Sequence, residues 1–410
     1  MFRINTTLIL FLLASQCGCS AQQEQHSTSN LDQNNADSRI ALGHEKVDEI
    51  VTLCGDKNIA VVGNHTSMLF ADLVDHPTHL IDTLMSRGVN IMQVFAPEHG
   101  FRGDHSNGAD IKDGFDDQTG LPILSLHGKH RKPSAASLKD IDLIIFDIQD
   151  VGARFYTYLS TLLLVMEAAA ENGVAVVVLD RPNPHGHHVE GPMLDPEFKS
   201  FVGLAPVPVI HGMTLGELAL MSNGEGWLEA GIKANLYVIP CEGYTHSTFY
   251  SVPIAPSPNL PSDQSIALYP SLCFFEPTLV SIGRGTTMPF EVIGYPNNPQ
   301  GEYTFIPVST PGASPNPKHE DQLCQGSNLN NHTTTWDLSF LEHYINVYRQ
   351  EQGSLEGFFT SIAFFDKLAG TDHLRLSLEQ GKSMQDIEDT WKENLKAFKS
   401  ARTPYLLYPI

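Results

Sequence analysis

Four short apolar runs, spaced by helical stretches, constrain this chain more than any other feature. Residues 59–62, 89–95, 143–146 and 174–179 carry no charge and are rich in β-branched side chains. Continuous apolar runs of this length read as strands buried on both faces, the signature of a parallel sheet. Residues 71–87 and 158–172 read as helices, the second rich in Leu, Met and Ala and followed by Gly173 as a C-cap. Strand and helix alternate in this way up to about residue 240, which predicts a sheet covered by helices on both faces. The rest of the chain changes character. Residues 251–262 are proline-rich and read as an extended connection, and 291–308 reads as short strands broken by Pro, Asn and Gly. Residues 337–350 and 383–400 read as helices, and the last one places Met384, Ile387, Trp391, Leu395 and Phe398 at helical spacing as a core stripe. The expectation is an α/β protein: a parallel-sheet domain over 39–240, and a smaller α+β domain over 241–410.

The 410 residues suffice for two full cores, and 41% hydrophobic with 18% charged residues is a globular balance. A net charge of -22 argues against nucleic acid, whose phosphates it would repel. Residues 1–19 read as a targeting segment. Arg3 precedes the apolar stretch 8–14, which is too short to span a bilayer. Ser15-Gln16-Cys17-Gly18-Cys19-Ser20 then resembles a bacterial lipoprotein signal, with Cys19 the better lipidation candidate. Residues 20–38, rich in Gln, Asn and Ser, read as a tether. The expected location is the envelope: exported, periplasmic or anchored to the outer membrane, touching lipid only through that anchor. Cys54, Cys241, Cys273 and Cys324 form no CxxC pair, so buried free thiols are expected rather than zinc.

In an open parallel sheet the carboxyl ends of the strands lie along one edge and gather residues distant in sequence. Here each predicted strand ends in polar residues. The first ends in Asn64-His65, and the second in Pro97-Glu98-His99-Gly100-Phe101-Arg102. The third ends in Asp147-Ile148-Gln149-Asp150, followed by Arg154 and Tyr156, and the fourth in Asp180-Arg181-Pro182-Asn183. Gly63-Asn64-His65-Thr66-Ser67 stands where a dinucleotide fingerprint would be, and no Gly-x-Ser-x-Gly elbow occurs, so the layered sheet does not imply NAD, ATP or acyl-enzyme chemistry. Thr214 and Glu217 read as a capping box rather than as chemistry. His185, His187 and His188 suggest a metal but lack a second ligand cluster. Carboxylates without a dominant Ser or Cys nucleophile suit glycoside cleavage, in which one acid protonates the leaving oxygen. Arg102, Arg154, Arg181 and Arg284 suit a substrate carboxylate. A sugar bearing a carboxylate, in a bacterial envelope, points to muramic acid.

Several long blocks match a known family. They include Asn64-His65-Thr66-Ser67, residues 95–103, Thr119-Gly120-Leu121-Pro122, FDIQDVGARFYTY (146–158) and LDRPNP (179–184). They continue through 211–217, PSPNLP (256–261), SIGRGTTMPF (281–290) and Tyr405-Leu406-Leu407-Tyr408-Pro409. Over about 40–410 the chain resembles the NamZ-like exo-β-N-acetylmuramidases. The resemblance implies release of terminal β-1,4-linked N-acetylmuramic acid from the non-reducing end of peptidoglycan fragments, without a cofactor. It implies a site in the cleft between a Rossmann-like domain and a smaller one, and it carries the general acid to Glu98. The second catalytic group is assigned to Asp150, with Asp147, Glu190 and Glu276 as alternatives and the substrate's 2-acetamido group as a further possibility. Arg102, Arg154, Arg181 and Arg284 are candidates for the lactyl carboxylate, and Asn64, His65, His99, Tyr156 and Asn183 for hydroxyl or acetamido groups. The residues leave two rival readings, a non-catalytic binder of cell-wall sugars and a metal-dependent hydrolase.

Overall fold

The computed structural model describes residues 39–70, 77–98, 100–102 and 113–410. The targeting segment, the tether, Cys19 and His99 lie outside the described residues. Among the described residues, fourteen strands run in chain order. They are β1 (Ile59–Gly63), β2 (Met68–Leu69), β3 (Thr78–His79), β4 (Ile91–Ala96), β5 (Gly114–Phe115), β6 (Pro122–Ser125) and β7 (Leu143–Asp147). Then come β8 (Ala175–Leu179), β9 (Glu190–Met193), β10 (Pro208–Ile210), β11 (Asn235–Ile239), β12 (Val292–Tyr295), β13 (Tyr303–Phe305) and β14 (Cys324–Asn328).

The main sheet has the order β11-β8-β7-β1-β4-β6-β5, parallel except for the short edge strand β5. Counted along the chain, its six parallel strands run 3-2-1-4-5-6 across the sheet, the doubly wound Rossmann order. Side chains alternate between two cores because strand residues point to opposite faces in turn. Ala60, Val62, Ile144, Phe146, Val176 and Val178 enter one core, and Ile59, Val61, Leu143, Ile145, Val177 and Leu179 the other. The second core is closed by α1 (Val47–Cys54) and α2 (Leu80–Ser86), through Ile50, Leu80, Ile81 and Leu84. The first is closed by α3 (Tyr158–Asn172) and α4 (Leu215–Glu225), through Leu162, Met166, Leu218 and Met221.

That first core does not stop at the sheet. It continues into α5 (Asp263–Leu272) and the antiparallel sheet β12-β14-β13. It also takes in α6 (Ser339–Gln352), α7 (Ile362–Ala369), α8 (His373–Glu379), α9 (Met384–Asp389) and α10 (Lys392–Arg402). Tyr269, Phe274, Phe275, Phe290, Tyr344 and Phe365 form its aromatic centre, with rings in tilted or edge-to-face contact.

The sequence reading fits α3, which spans Tyr158–Asn172 and ends on Gly173 in the left-handed conformation at φ 70°. The capping box on α4 is present: Thr214 Oγ1 accepts from Glu217 N (3.2 Å), and Glu217 Oε2 accepts from Thr214 N (2.9 Å). The four cysteines are buried free thiols. Two expectations are corrected. Of the helix expected over 71–87, residues 71–76 lie outside the described residues, 78–79 form β3, and α2 starts at Leu80, capped by the His79 ring. The helix expected over 383–400 is two, α9 and α10. Thr390 turns its hydroxyl onto the Ile387 carbonyl (2.6 Å), and the N–H groups of Thr390 and Trp391 bond three residues back, to Ile387 and Glu388 (3.0 and 3.3 Å), a tightened turn between the two helices. The five stripe residues are nevertheless all buried.

Candidate active site

A cavity of about 260 Å³ opens where the carboxyl ends of the parallel strands meet the C-terminal part of the chain. Glu98 lines it, two residues beyond the end of β4. Pro97 stops the strand, and Gly100, at φ 79°, donates its N–H back to the Pro97 carbonyl (3.1 Å) to close the turn. The turn is held from below. Phe101 is buried edge-on to the His79 ring, and Arg102 makes a two-pronged ion pair with Asp116 (2.8 and 2.8 Å) and reaches Asp82. That pairing holds the Asp116 carboxyl down at about 2. Arg102 therefore braces the loop that carries Glu98 and is not on the cavity lining, which corrects its sequence-based choice as a ligand of the substrate carboxylate.

The first turn of α3 faces Glu98. Thr157 Oγ1 donates to Glu98 Oε2 (3.0 Å), which fixes the direction of the carboxyl. Tyr156 and Tyr158 line the cavity beside it with rings at 86°. Tyr156 donates to the Pro256 carbonyl (2.8 Å), and Asn64 Nδ2 donates to the Tyr158 hydroxyl (2.9 Å). Burial, then the neighbouring tyrosines and the charges of Asp150 and Glu98, keeps the Tyr156 phenol protonated well above its ordinary range.

The opposite wall belongs to the C-terminal part. Glu276 and Arg284 form an ion pair there, Arg284 Nε lying 2.9 Å from Glu276 Oε1, with the guanidinium over the Phe290 ring. Ser257 and Asn259, from the proline-rich connection, complete the polar lining. Phe155, Val202, Tyr269, Phe364 and Leu368 supply the apolar part. The cavity thus combines carboxylates, one guanidinium, neutral hydrogen-bonding groups and aromatic faces, the recognition set of an anionic sugar.

Of the residues picked from sequence, Glu98, Tyr156, Glu276 and Arg284 line this cavity. Asn64 acts one layer behind, through Tyr158, and His65 is held by the Ala255 carbonyl (2.8 Å). The others are spent elsewhere. Asp147 and Arg181 are buried in an ion pair (2.7 Å) that also engages His44. Arg154, fully buried, donates to the carbonyls of Pro192, Val207, Leu368 and Ala369. Asn183 bonds the Met213 carbonyl and the His185 amide. Glu190 lies on β9, opposite Ile210 and away from the cavity lining.

Asp150, chosen from sequence as the second catalytic group, stands behind the tyrosines rather than on the lining. Its Oδ1 accepts from Gly152 N (2.7 Å) in a turn that only glycine fits, because a Cβ at 152 would come within 1.9 Å of Asn183 Oδ1. Burial pushes the Asp150 carboxyl from 3.8 up to about 7. A carboxyl raised in the folded state favours folding below its unfolded pKa, and that contribution fades as pH rises towards 7. Asp150→Asn is expected to keep turnover within a few-fold of wild type. Relative to wild type it gains roughly 2–4 kcal/mol of stability between pH 4 and pH 8, at about 1.4 kcal/mol per unit, measured by urea unfolding at each pH.

Sequence reasoning missed Thr157, Tyr158, Ser257, Asn259, Tyr269 and Phe364. The first four lie inside blocks it had singled out, so the signal was present and was assigned to neighbouring residues. Tyr269 and Phe364 look like ordinary helix core positions.

Comparison with known proteins gives the same outline. The family model described as exo-beta-N-acetylmuramidase NamZ, N-terminal, matches residues 59–264, and its C-terminal companion matches 267–408. The chain is 40% identical over 343 residues to the peptidoglycan beta-N-acetylmuramidase NamZ of Bacillus subtilis, covering 78% of this chain and 80% of that protein. Two crystal structures of DUF1343 family proteins from Bacteroides fragilis are similar. One has a TM-score of 0.82 at 45% identity, over 91% of this chain and 99% of that one. The other has a TM-score of 0.77 at 30% identity, over 90% and 99%.

Proposed function

The chain belongs to the NamZ family of exo-β-N-acetylmuramidases, and from that premise we propose that it is a glycoside hydrolase releasing terminal N-acetylmuramic acid from the non-reducing end of peptidoglycan fragments. The observation that carries this reading is the Glu98 carboxyl on the wall of an aromatic-lined cavity that also bears Arg284. Glu98, aimed by Thr157, donates the proton to the glycosidic oxygen as the bond to the anomeric carbon breaks. Tyr156, Tyr158 and Tyr269 give the pyranose an apolar face to stack on, and Ser257 and Asn259 take its hydroxyl or acetamido groups. Arg284, aimed by its pairing with Glu276, meets the lactyl carboxylate that distinguishes muramic acid from glucosamine. Glu276 and the substrate's own 2-acetamido oxygen are the groups that face the positive charge developing at the anomeric carbon.

The amino-terminal leader read from the sequence supports an exported enzyme tethered through a lipid on Cys19, beside the polymer whose fragments it trims. No described helix is long and apolar enough to cross a membrane. The test is incubation of the purified protein with a chromogenic β-N-acetylmuramide and with muramyl glycans, products being identified by mass. Saturable binding without product release overturns the glycosidase reading in favour of a sugar binder, and loss of turnover on chelation favours a metal hydrolase. Arg284→Met is expected to lower kcat/KM for the muramide by about 10–100-fold, the worth of one hydrogen-bonded charge. It leaves the slow rate on the matching glucosaminide unchanged, and an equal loss on both substrates contradicts the role given to Arg284.

A further inference from the structure

We propose that Lys318 is a positioning residue for the cavity wall that carries Glu276 and Arg284, its ammonium pinning the turn 275–280 from behind. The inference rests on the muramide reading of the cavity.

Lys318 does not line the cavity. Its Nζ donates to the carbonyls of Phe275 (3.0 Å), Glu276 (3.2 Å), Thr278 (2.5 Å) and Val280 (2.8 Å). Next to it, His319 Nε2 donates to the Leu279 carbonyl (2.6 Å), and the sixth carbonyl, that of Pro277, accepts the Thr360 N–H (2.9 Å). Four carbonyls of one short turn aimed at a single point repel each other unless a positive charge fills the centre. The ammonium does so with charge-assisted hydrogen bonds, which are the stronger kind. The direction of the Glu276 side chain, and through it of Arg284, is set by this turn.

The rest of the loop supports the same wall at two further places. Val308 donates its N–H to the carbonyl of Gly285, the neighbour of Arg284 (2.8 Å). Asn259, itself on the wall, donates to the Ala313 carbonyl (3.0 Å). Pro317 packs so closely on Gly285 that a Cβ there would lie 2.7 Å from it. One loop, 308–319, thus braces the wall at three places, beside Asn259, Glu276 and Arg284, and Lys318 is the charged contact among them.

Burial pushes the Lys318 ammonium down to about 8, while Glu276 pulls it up and Arg284 pushes it down. These two side chains and His319 are the charged or titratable groups beside it. Above that pH a neutral amine has two N–H groups for four carbonyls and no charge to hold them. The turn then loosens, and sugar affinity weakens with it.

The experiment measures N-acetylmuramic acid affinity by calorimetry from pH 6 to 10 in Glu98→Gln protein, which removes titration of the general acid. It compares Lys318, Lys318→Met and Lys318→Arg, and it runs chromogenic muramide kinetics on the same 318 series with Glu98 intact. With Lys318 the affinity falls about 10-fold between pH 7 and 9.5. Lys318→Met, folded by circular dichroism, binds at least 10-fold more weakly at pH 7 with no pH dependence, and KM rises more than kcat falls. Lys318→Arg recovers part of the affinity and loses the alkaline decline, because guanidinium stays charged. A folded Lys318→Met with unchanged affinity and KM overturns the proposal. If neither variant folds, the pH dependence with Lys318 in place decides alone, and a flat profile overturns it. Protein that binds the sugar with this profile but cleaves nothing refutes the glycosidase reading and leaves the role of Lys318 standing.

Discussion

Replacing Glu98 by Gln lowers kcat/KM for muramide cleavage by about 10³-fold or more, within the range general acid catalysis supplies, and leaves the melting temperature where it was. Glutamine keeps the shape of the side chain and can still accept from Thr157 Oγ1. It has no proton to give to a departing sugar oxygen. The loop does not depend on the carboxyl for its shape. It is closed by the Gly100–Pro97 backbone bond, and the buried Phe101 and the Arg102–Asp116 pair hold it down. A large kinetic loss at constant stability is therefore the signature of a chemical role. Turnover near wild type in folded Glu98→Gln protein would sink the assignment and move the search for the acid to Glu276. Steady-state kinetics and a thermal melt on the same preparation decide it.

Arg154→Met is expected to act in the opposite way, with stability collapsing before any chemistry is touched. The side chain is fully buried, and its two terminal nitrogens serve four carbonyls. Two of these, Leu368 and Ala369, end α7, where helix carbonyls have no intrahelical donor. The other two, Pro192 and Val207, belong to or adjoin the β9–β10 pair. Methionine fills most of the volume but donates nothing. Val207 keeps the Leu194 N–H (3.3 Å), but losing the donors to Pro192, Leu368 and Ala369 costs about 1–3 kcal/mol each, so the loss is at least about 3 kcal/mol against a typical total of 5–15 kcal/mol. The measurement is the urea midpoint. Lys in the same place falls between, since one point charge cannot reproduce a planar fork of donors. A midpoint unchanged in Arg154→Met would refute the scaffold role and return Arg154 to the list of substrate ligands.

The contrast between these two residues explains how far the sequence could be read. Glu98 and Arg154 both follow predicted strands, and both are the kind of residue that active sites use. Which of them meets substrate depends on the direction of the side chain, and that is fixed by contacts with residues far away in the chain. Arg154 is turned inward by four carbonyls, two of them more than 200 residues distant. Asp147 and Arg181 are turned towards each other and His44. Asp150 is drawn back by the Gly152 amide. Glu276 and Arg284 were legible as site candidates, but nothing local connects them with Glu98, and only the packing of the C-terminal part against the sheet brings them to the same cavity. The break between α9 and α10 was equally hidden, because it is a tightened turn in the backbone at Thr390 and Trp391 that leaves all five stripe residues buried and so does not disturb the side-chain pattern.

By itself the sequence determined the layers: alternating apolar runs dictate a parallel sheet, its two cores, and the strand ends where polar loops collect, since burial follows a local period of two or of 3.6 residues. It also determined that Glu98 stands in a stiff turn, because Pro97 and Gly100 act on their immediate neighbours. Only the tertiary structure decided which polar residues face the cavity and which hold the scaffold together. That choice rests on ion pairs and hydrogen bonds between distant segments, whose partners no local pattern names.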